Sequence, residues 1–268
     1  MKIGRIFLIF TFLLFAASAL NASATTIVAL PGDVPDEEEP RGISGDYPTG
    51  WGNGSWQGPT TGKSNYHVWY TAQMETLFGE GHSITVGDLS SLSFYTKKDA
   101  SIPWKDDWWL SIYTVPEGDG NDSGSWYDSR LHARPDIGPS YSQSSTSGQW
   151  NLWSTDDSDS TTNQLQFCDS GRSWHGYYET LDNLAAGEVT WGNSQSHDYS
   201  AELVKAITIQ TDSGWDGFDG LVDGLTITLD DSQVGEVNFE PVPLPAAVWL
   251  LGSGLVGLVG IRRRSGKG

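Results

Sequence analysis

LTITLDDSQVGEVNF, residues 225–239, is the stretch that decides how this chain folds. Leu225, Ile227 and Leu229 alternate with Thr226, Thr228 and Asp230. In a pleated strand a two-residue period puts the three apolar side chains on one face and the polar ones on the other. Asp231 and Ser232 then supply a turn, and the run from Val234 to Phe239 returns as a second strand. The two strands predict a hairpin that closes a sheet with one face in a core.

Working back from this hairpin, the same period recurs. Leu92, Phe94 and Thr96 alternate with Ser93 and Tyr95; Trp108, Leu110 and Ile112 alternate with Trp109, Ser111 and Tyr113; Leu203, Ile207 and Ile209 alternate with Val204, Ala206 and Thr208. Each first-named set suits a core. Residues 66–71, 84–86, 149–153 and 164–168 are weaker strand candidates, and a helical stripe is suggested only around residues 70–77. Short strands separated by Gly, Asn, Asp and Ser predict an all-β chain, a single jelly-roll-like β-sandwich over residues 51–240. Residues 25–50 hold Pro31, Pro35, Pro40 and Pro48 beside the acidic run Asp36, Glu37, Glu38 and Glu39, a mixture that disfavours helix and central strand and reads as an extended arm.

Both ends carry targeting patterns. Lys2 and Arg5 precede an apolar run, and Ala22, Ser23 and Ala24 supply the small residues a signal peptidase requires, so residues 1–24 read as a signal peptide cut before Thr25. Residues 242–261 contain no charged side chain. About 20 apolar residues at about 1.5 Å each match a hydrocarbon core of about 30 Å. Arg262, Arg263, Arg264 and Lys267 follow, and basic residues beside a span hold that end in the cytoplasm. The chain is therefore expected to be exported across the inner membrane, and to be envelope-anchored or extracellular after its tail is processed.

The tail, residues 241–268, joins a proline motif, one membrane segment and an Arg cluster in that order. It resembles the PEP-CTERM family of bacterial sorting signals, and Val242, Pro243, Leu244, Pro245 and Ala246 match its VPLPA form, the commoner form carrying a glutamate at the position of Leu244. The resemblance implies a C-terminal transmembrane sorting helix and an exosortase-type processing enzyme as partner. Residues 214–229, GWDGFDGLVDGLTITL, look like the end of ectodomains carried by such proteins.

Charge narrows the partners further. Six of the 15 basic residues lie in the two targeting segments and none of the 34 acidic ones does, which leaves residues 25–241 with nine bases and a net charge of −25. Such a surface repels nucleic acid and anionic lipid and attracts divalent cations, basic proteins or neutral sugars. Cys168 is the one cysteine, so no internal disulfide forms, and it reads as a small buried hydrophobe.

The chain holds 13 tryptophans. Most are expected to pack, because each contributes on the order of 150 to 250 Å² of surface that is costly to leave wet. Trp104, Trp126, Trp174 and Trp215 stand instead among Gly, Asp and Ser, where an indole can stack on the C–H face of a sugar ring, and they are the candidate glycan-binding residues. Trp109 and Tyr113 share one strand face, which suits either a platform or a position between two sheets. Residues 119–124 begin like an EF-hand loop, but Arg130 stands at the twelfth position. Asp216, Asp219 and Asp223 form the better candidate Ca²⁺ set.

GxSxG, HExxH and Walker patterns are missing from the sequence, and His67, His82, His132, His175 and His197 show no metal-ligand spacing. The residues thus favour a non-catalytic surface or matrix protein that binds extracellular polysaccharide. The alternatives are a polysaccharide-active enzyme and a purely structural envelope protein.

Overall fold

The computed structural model describes residues 24–30, 42–58, 69–99, 101, 106–115, 130–133, 148–156, 163–169, 171–172, 177–192, 194–211 and 218–240. Within them the chain is predominantly β, and two main sheets form a sandwich-like arrangement around one apolar core.

The larger sheet is built on the expected hairpin. β14 (Leu221–Leu229) and β15 (Val234–Phe239) pair antiparallel with Leu225 opposite Val237 and Ile227 opposite Gly235. Ser232 takes φ 69°, and the Leu229 N–H donates to the Gln233 carbonyl at 2.9 Å to close the turn. On the other side of β14 lies β5 (Leu89–Lys97), followed by β8 (Asn151–Ser154) and β9 (Asn163–Gln164). Leu92, Phe94, Leu225, Ile227, Val237 and Phe239 are fully buried in the core, as their alternation requires.

The segment read as an extended arm contributes two strands to this sheet. β1 (Thr25–Ala29) runs parallel to β15 at the sheet edge, a position open to a segment whose sequence disfavours a central strand. β2 (Gly42–Ser44) pairs with β3 (Ser55–Gln57), which in turn meets β14.

The smaller sheet has the order β10, β7, β6, β13, β4, from Cys168–Asp169, Arg130–Ala133, Trp109–Val115, Leu203–Gln210 and Trp69–Gln73. Leu110, Ile112, Leu131, Ile207 and Ile209 enter the common core. One expectation fails here. Leu203 does not share a face with Ile207 and Ile209: a register irregularity between Val204 and Ala206 exchanges the sides, so that Val204 is buried and Leu203 is 44% exposed. One extra residue in a strand reverses every orientation beyond it.

Helix is confined to α1 (Met74–Phe78), α2 (Leu181–Ala186) and a 3-10 turn at Val86–Asp88, among the described residues. α1 falls at the end of the stretch where a helical stripe was expected. β11 (Glu188–Thr190) and β12 (Ser196–Asp198) form a separate two-stranded ribbon.

The two sheets are stitched together by polar contacts at the start of β6. The Trp108 indole N–H donates to the Gly220 carbonyl at 2.8 Å, and Thr96 Oγ1 donates to Asp107 Oδ2 at 3.2 Å. Trp153 Nε1 donates to that same Thr96 hydroxyl at 2.8 Å. Buried Lys98 sits 3.7 Å from Asp107 Oδ2 and donates to the Asp106 carbonyl at 2.8 Å. Burial raises the Asp107 carboxyl to about 6, against the charge of Lys98 and the donors Thr96 and the Trp108 N–H, which pull it down. No helix among the described residues is long and apolar enough to cross a membrane, and residues 242–261 lie outside them.

Candidate functional site

Alternation in the smaller sheet sends Leu110 and Ile112 inward, so Trp109, Ser111 and Tyr113 point away from the core. Trp109 and Tyr113 therefore lie on an outer sheet face, not between the sheets. Register brings the matching residues of the neighbours into line: Ser111 stands opposite His132 on β7 and Thr208 on β13, and Tyr113 opposite Arg130. Gln210 stands opposite Trp109, and Cys168 of β10 stands opposite His132.

The result is a patch of hydrogen-bonding groups set around aromatic rings. Ser111 Oγ and His132 Nδ1 share a hydrogen bond of 2.7 Å. The His132 ring meets Trp109 edge-on at 4.8 Å. Arg130 Nη1 donates to the Tyr113 hydroxyl at 3.3 Å, and its guanidinium carbon lies 5.8 Å from the Tyr113 ring centroid. Thr208 Oγ1 donates to Gln210 Oε1 at 3.4 Å. Apart from Tyr113, which is half-buried, these side chains are withdrawn from solvent. Cys168 is buried at the edge of the same sheet, as its reading as a small hydrophobe requires. Of the side chains in this patch, the half-buried Tyr113 ring is the one that reaches solvent, and an aromatic ring beside hydrogen-bonding groups suits the C–H face of a sugar.

At the β10 edge a second polar cluster is structural. Asp169 Oδ1 accepts from the Gly171 N–H at 2.6 Å and the Arg172 N–H at 2.9 Å, while its Oδ2 accepts from Arg172 Nη1 at 2.9 Å and from the Tyr199 hydroxyl. Trp191 Nε1 donates to the same hydroxyl at 2.9 Å. Burial, then the charge of Asp169, pushes the Tyr199 phenol far up. Burial works to lower Arg172, but its bond to Asp169 outweighs this and the net shift is upward. Phenol and guanidinium are both held in their protonated forms. These groups fix a turn and offer no acid or base near neutral pH.

The residues singled out from sequence fall unevenly on the fold. Trp104, Trp126, Trp174, Trp215 and Asp216 lie outside the described residues, as do Val242, Pro243, Leu244, Pro245, Ala246, Arg262, Arg263 and Arg264. Asp219 is exposed and accepts from Gln57 Nε2 of β3, whereas Asp223 is fully buried and bonds the backbone of β15. Among the described residues no group of three His, Cys, Asp or Glu side chains is placed to hold a metal ion. Trp56, Trp108, Trp153 and Trp191 belong to the core. Half-buried Trp150 donates through Nε1 to Asp46 Oδ1 at 2.9 Å. Asp46 also pairs with Lys97, whose bond, ahead of the opposing burial, holds its carboxyl below the ordinary value.

Arg130, His132 and Gln210 were not candidates on sequence grounds. The signal existed in the run Arg130, Leu131, His132, Ala133, a polar-apolar alternation, but four residues are too few to separate from chance.

Compared with known proteins, the chain matches no family model, no curated protein and no solved structure.

Proposed function

We propose that this chain is an exported, non-catalytic surface or matrix protein that binds extracellular polysaccharide through aromatic side chains that reach solvent, Tyr113 of the smaller sheet among them. The observation that carries the reading is the half-buried Tyr113 ring on the outer face of the smaller sheet, held beside the buried polar groups of Arg130, His132, Thr208 and Gln210. Neutral sugar is one of the partners compatible with the net charge of −25 on residues 25–241. Trp104, Trp126, Trp174 and Trp215 are proposed as further aromatic contacts.

Pairing of β5 with β14 and of β6 with β13 is nested in the way a long hairpin folded over itself produces, which supports a jelly-roll-like sandwich. Export rests on the two terminal patterns, with Val242, Pro243, Leu244, Pro245 and Ala246 as recognition motif for an exosortase-type enzyme, residues 242–261 as transmembrane helix and Arg262, Arg263 and Arg264 as its cytoplasmic stop. That β1 begins at Thr25, the first residue after the expected signal-peptide cut, is compatible with this processing.

Affinity electrophoresis in gels containing neutral polysaccharides tests the binding. Retardation of the intact chain that is lost in Tyr113→Ala, with an unchanged far-UV spectrum, is the expected result. Retardation that survives Tyr113→Ala but disappears when Trp104, Trp126, Trp174 and Trp215 are replaced moves the site to the loops, and no retardation on any glycan leaves a structural coat protein.

A further inference from the structure

The outer face of the larger sheet carries a buried charge problem. In β14 the register with β5 shifts between Asp223 and Thr226, and Gly224 takes φ +68°. A side chain at position 224 would meet the Trp51 ring, since an added Cβ falls 2.7 Å from its Cε2, so the indole of Trp51 lies against this bulge. Next to it, a Cβ on Gly52 would come within 2.8 Å of Asn238 Nδ2 and would overlap the Glu240 carboxylate. Residues 51–53 therefore lie over Gly224, Asn238 and Glu240 together.

Asp223 sits beneath them, 0% exposed. Its Oδ1 is pinned by the Gly224 N–H at 2.7 Å and the Phe239 N–H at 2.9 Å, which places the carboxylate beside the β15 backbone between Asn238 and Glu240. Its Oδ2 has no hydrogen-bond partner among the described residues. Asn238 is in the same state. Its Nδ2 donates to Glu240 Oε1 at 3.2 Å, so the amide oxygen is the atom left over, and it too is buried without a partner. Glu240 also accepts from the Asn53 N–H at 2.9 Å, which holds its carboxylate in place, and its charge is felt by Asp223. Among the described residues no Lys or Arg forms an ion pair with either carboxylate. Two neighbouring carboxylates with two orphaned buried oxygens are costly unless something positive satisfies them.

We infer that Asp223, Asn238 and Glu240 hold a hard divalent cation of the Ca²⁺ class beneath residues 51–53. All the donors are oxygen, two of them carboxylate and one amide, and this mixture suits Ca²⁺ with water completing its shell. The site shares Asp223 with the aspartate set read from sequence but takes its other donors from β15, and it is independent of glycan binding.

Tb³⁺, a hard-cation substitute for Ca²⁺ that emits when a nearby indole is excited, provides a local reporter. The experiment titrates Tb³⁺ into chelator-treated full-length protein in detergent, with excitation of tryptophan, and follows the melting temperature on adding Ca²⁺. Saturable emission displaced by Ca²⁺, a Ca²⁺-dependent rise in melting temperature, and loss of most of the emission in Trp51→Leu are expected. Glu240→Gln, at a residue that is only half-buried, should weaken Ca²⁺ by about tenfold or more, because affinity follows ligand charge. Asp223→Asn should abolish binding. If emission and Ca²⁺ stabilisation persist undiminished in Trp51→Leu and Glu240→Gln, the cation sits elsewhere and the inference is overturned; if neither appears in the parent protein, it is overturned outright.

Discussion

The outward faces of the two sheets differ although their sequences look alike. On the larger sheet Ser91, Ser93, Tyr95, Thr226 and Thr228 alternate with core residues and are half-buried. On the smaller sheet Ser111, Thr208, Gln210, Arg130 and His132 alternate just as regularly, yet all are buried. Polarity reports which way a side chain points, not whether water reaches it. A polar face cut off from water must satisfy its own hydrogen bonds, which explains why Ser111 pairs with His132 and Thr208 with Gln210.

The comparison assumes that both sheets share one core, and the largest expected effect tests that. Trp108→Ala should cost about 3–5 kcal/mol in denaturant unfolding, because it empties space between the sheets and removes one of the two donors to the Gly220 carbonyl, the Gly58 N–H remaining. Two separate unfolding transitions in this variant, with the wild type showing one, would mean that the sheets are separately stable and the shared core is overstated.

Next is the junction between the sheets. Asp107 keeps its proton in the folded state up to about 6, above the ordinary value of 3.8, so between these pH values the folded state binds more protons than the unfolded one. Its contribution to stability is thus complete below pH 3.8, falls as pH rises, and levels off above about 6. The drop amounts to about 3 kcal/mol at most, at about 1.4 kcal/mol per pH unit. Denaturation midpoints measured from pH 4 to pH 7 should carry this downward component, and it should vanish in Asp107→Asn, even though that variant leaves Lys98 less well paired.

The faces themselves are separated by smaller substitutions. Ser111→Ala removes a buried hydrogen bond and should cost about 1–3 kcal/mol, whereas Ser93→Ala and Thr226→Val on the other sheet should stay within about 0.5 kcal/mol. Equal costs would erase the distinction. The smallest effect concerns the irregularity in β13: Leu203→Ser should change stability by less than about 0.5 kcal/mol, while Val204→Ala should cost about 1–2 kcal/mol, reversing the order that simple alternation assigns.

Much of the fold was legible in the residues. The hairpin of β14 and β15, the inward faces of β5 and β6, and the predominance of strand all follow from two-residue periods long enough to be distinctive. Short strands were legible only in outline: residues 164–168, read as one weak strand, divide into β9 and β10, and β7 was not resolved at all, because a run that short carries no period. The irregularity at Val204 was hidden for another reason: every residue around it is compatible with either face.

Site legibility followed the same division. Trp109 and Tyr113 could be placed on one strand face but not assigned to outside or inside, since that depends on which sheet packs against the other side of β6. Arg130 entered the sequence reading only as the wrong residue at the end of a calcium loop; across the β6–β7 register it stands beside Tyr113 instead. Asp223 was recognised as a ligand candidate, yet its neighbours were sought nearby in sequence. The structure supplies Asn238 and Glu240 from the returning strand.

By itself, then, the sequence determined the things that depend on local period and composition: strand as the dominant element, the core faces of the long strands and the acidic composition. Tertiary structure decided what depends on register and on layer order: which polar face is buried, where a one-residue irregularity turns Leu203 outward, and which distant carboxylates meet at a bulge. The physical reason is that hydrophobic alternation fixes orientation residue by residue, whereas hydrogen-bond register between strands far apart in the chain is set by the packing of the whole sandwich.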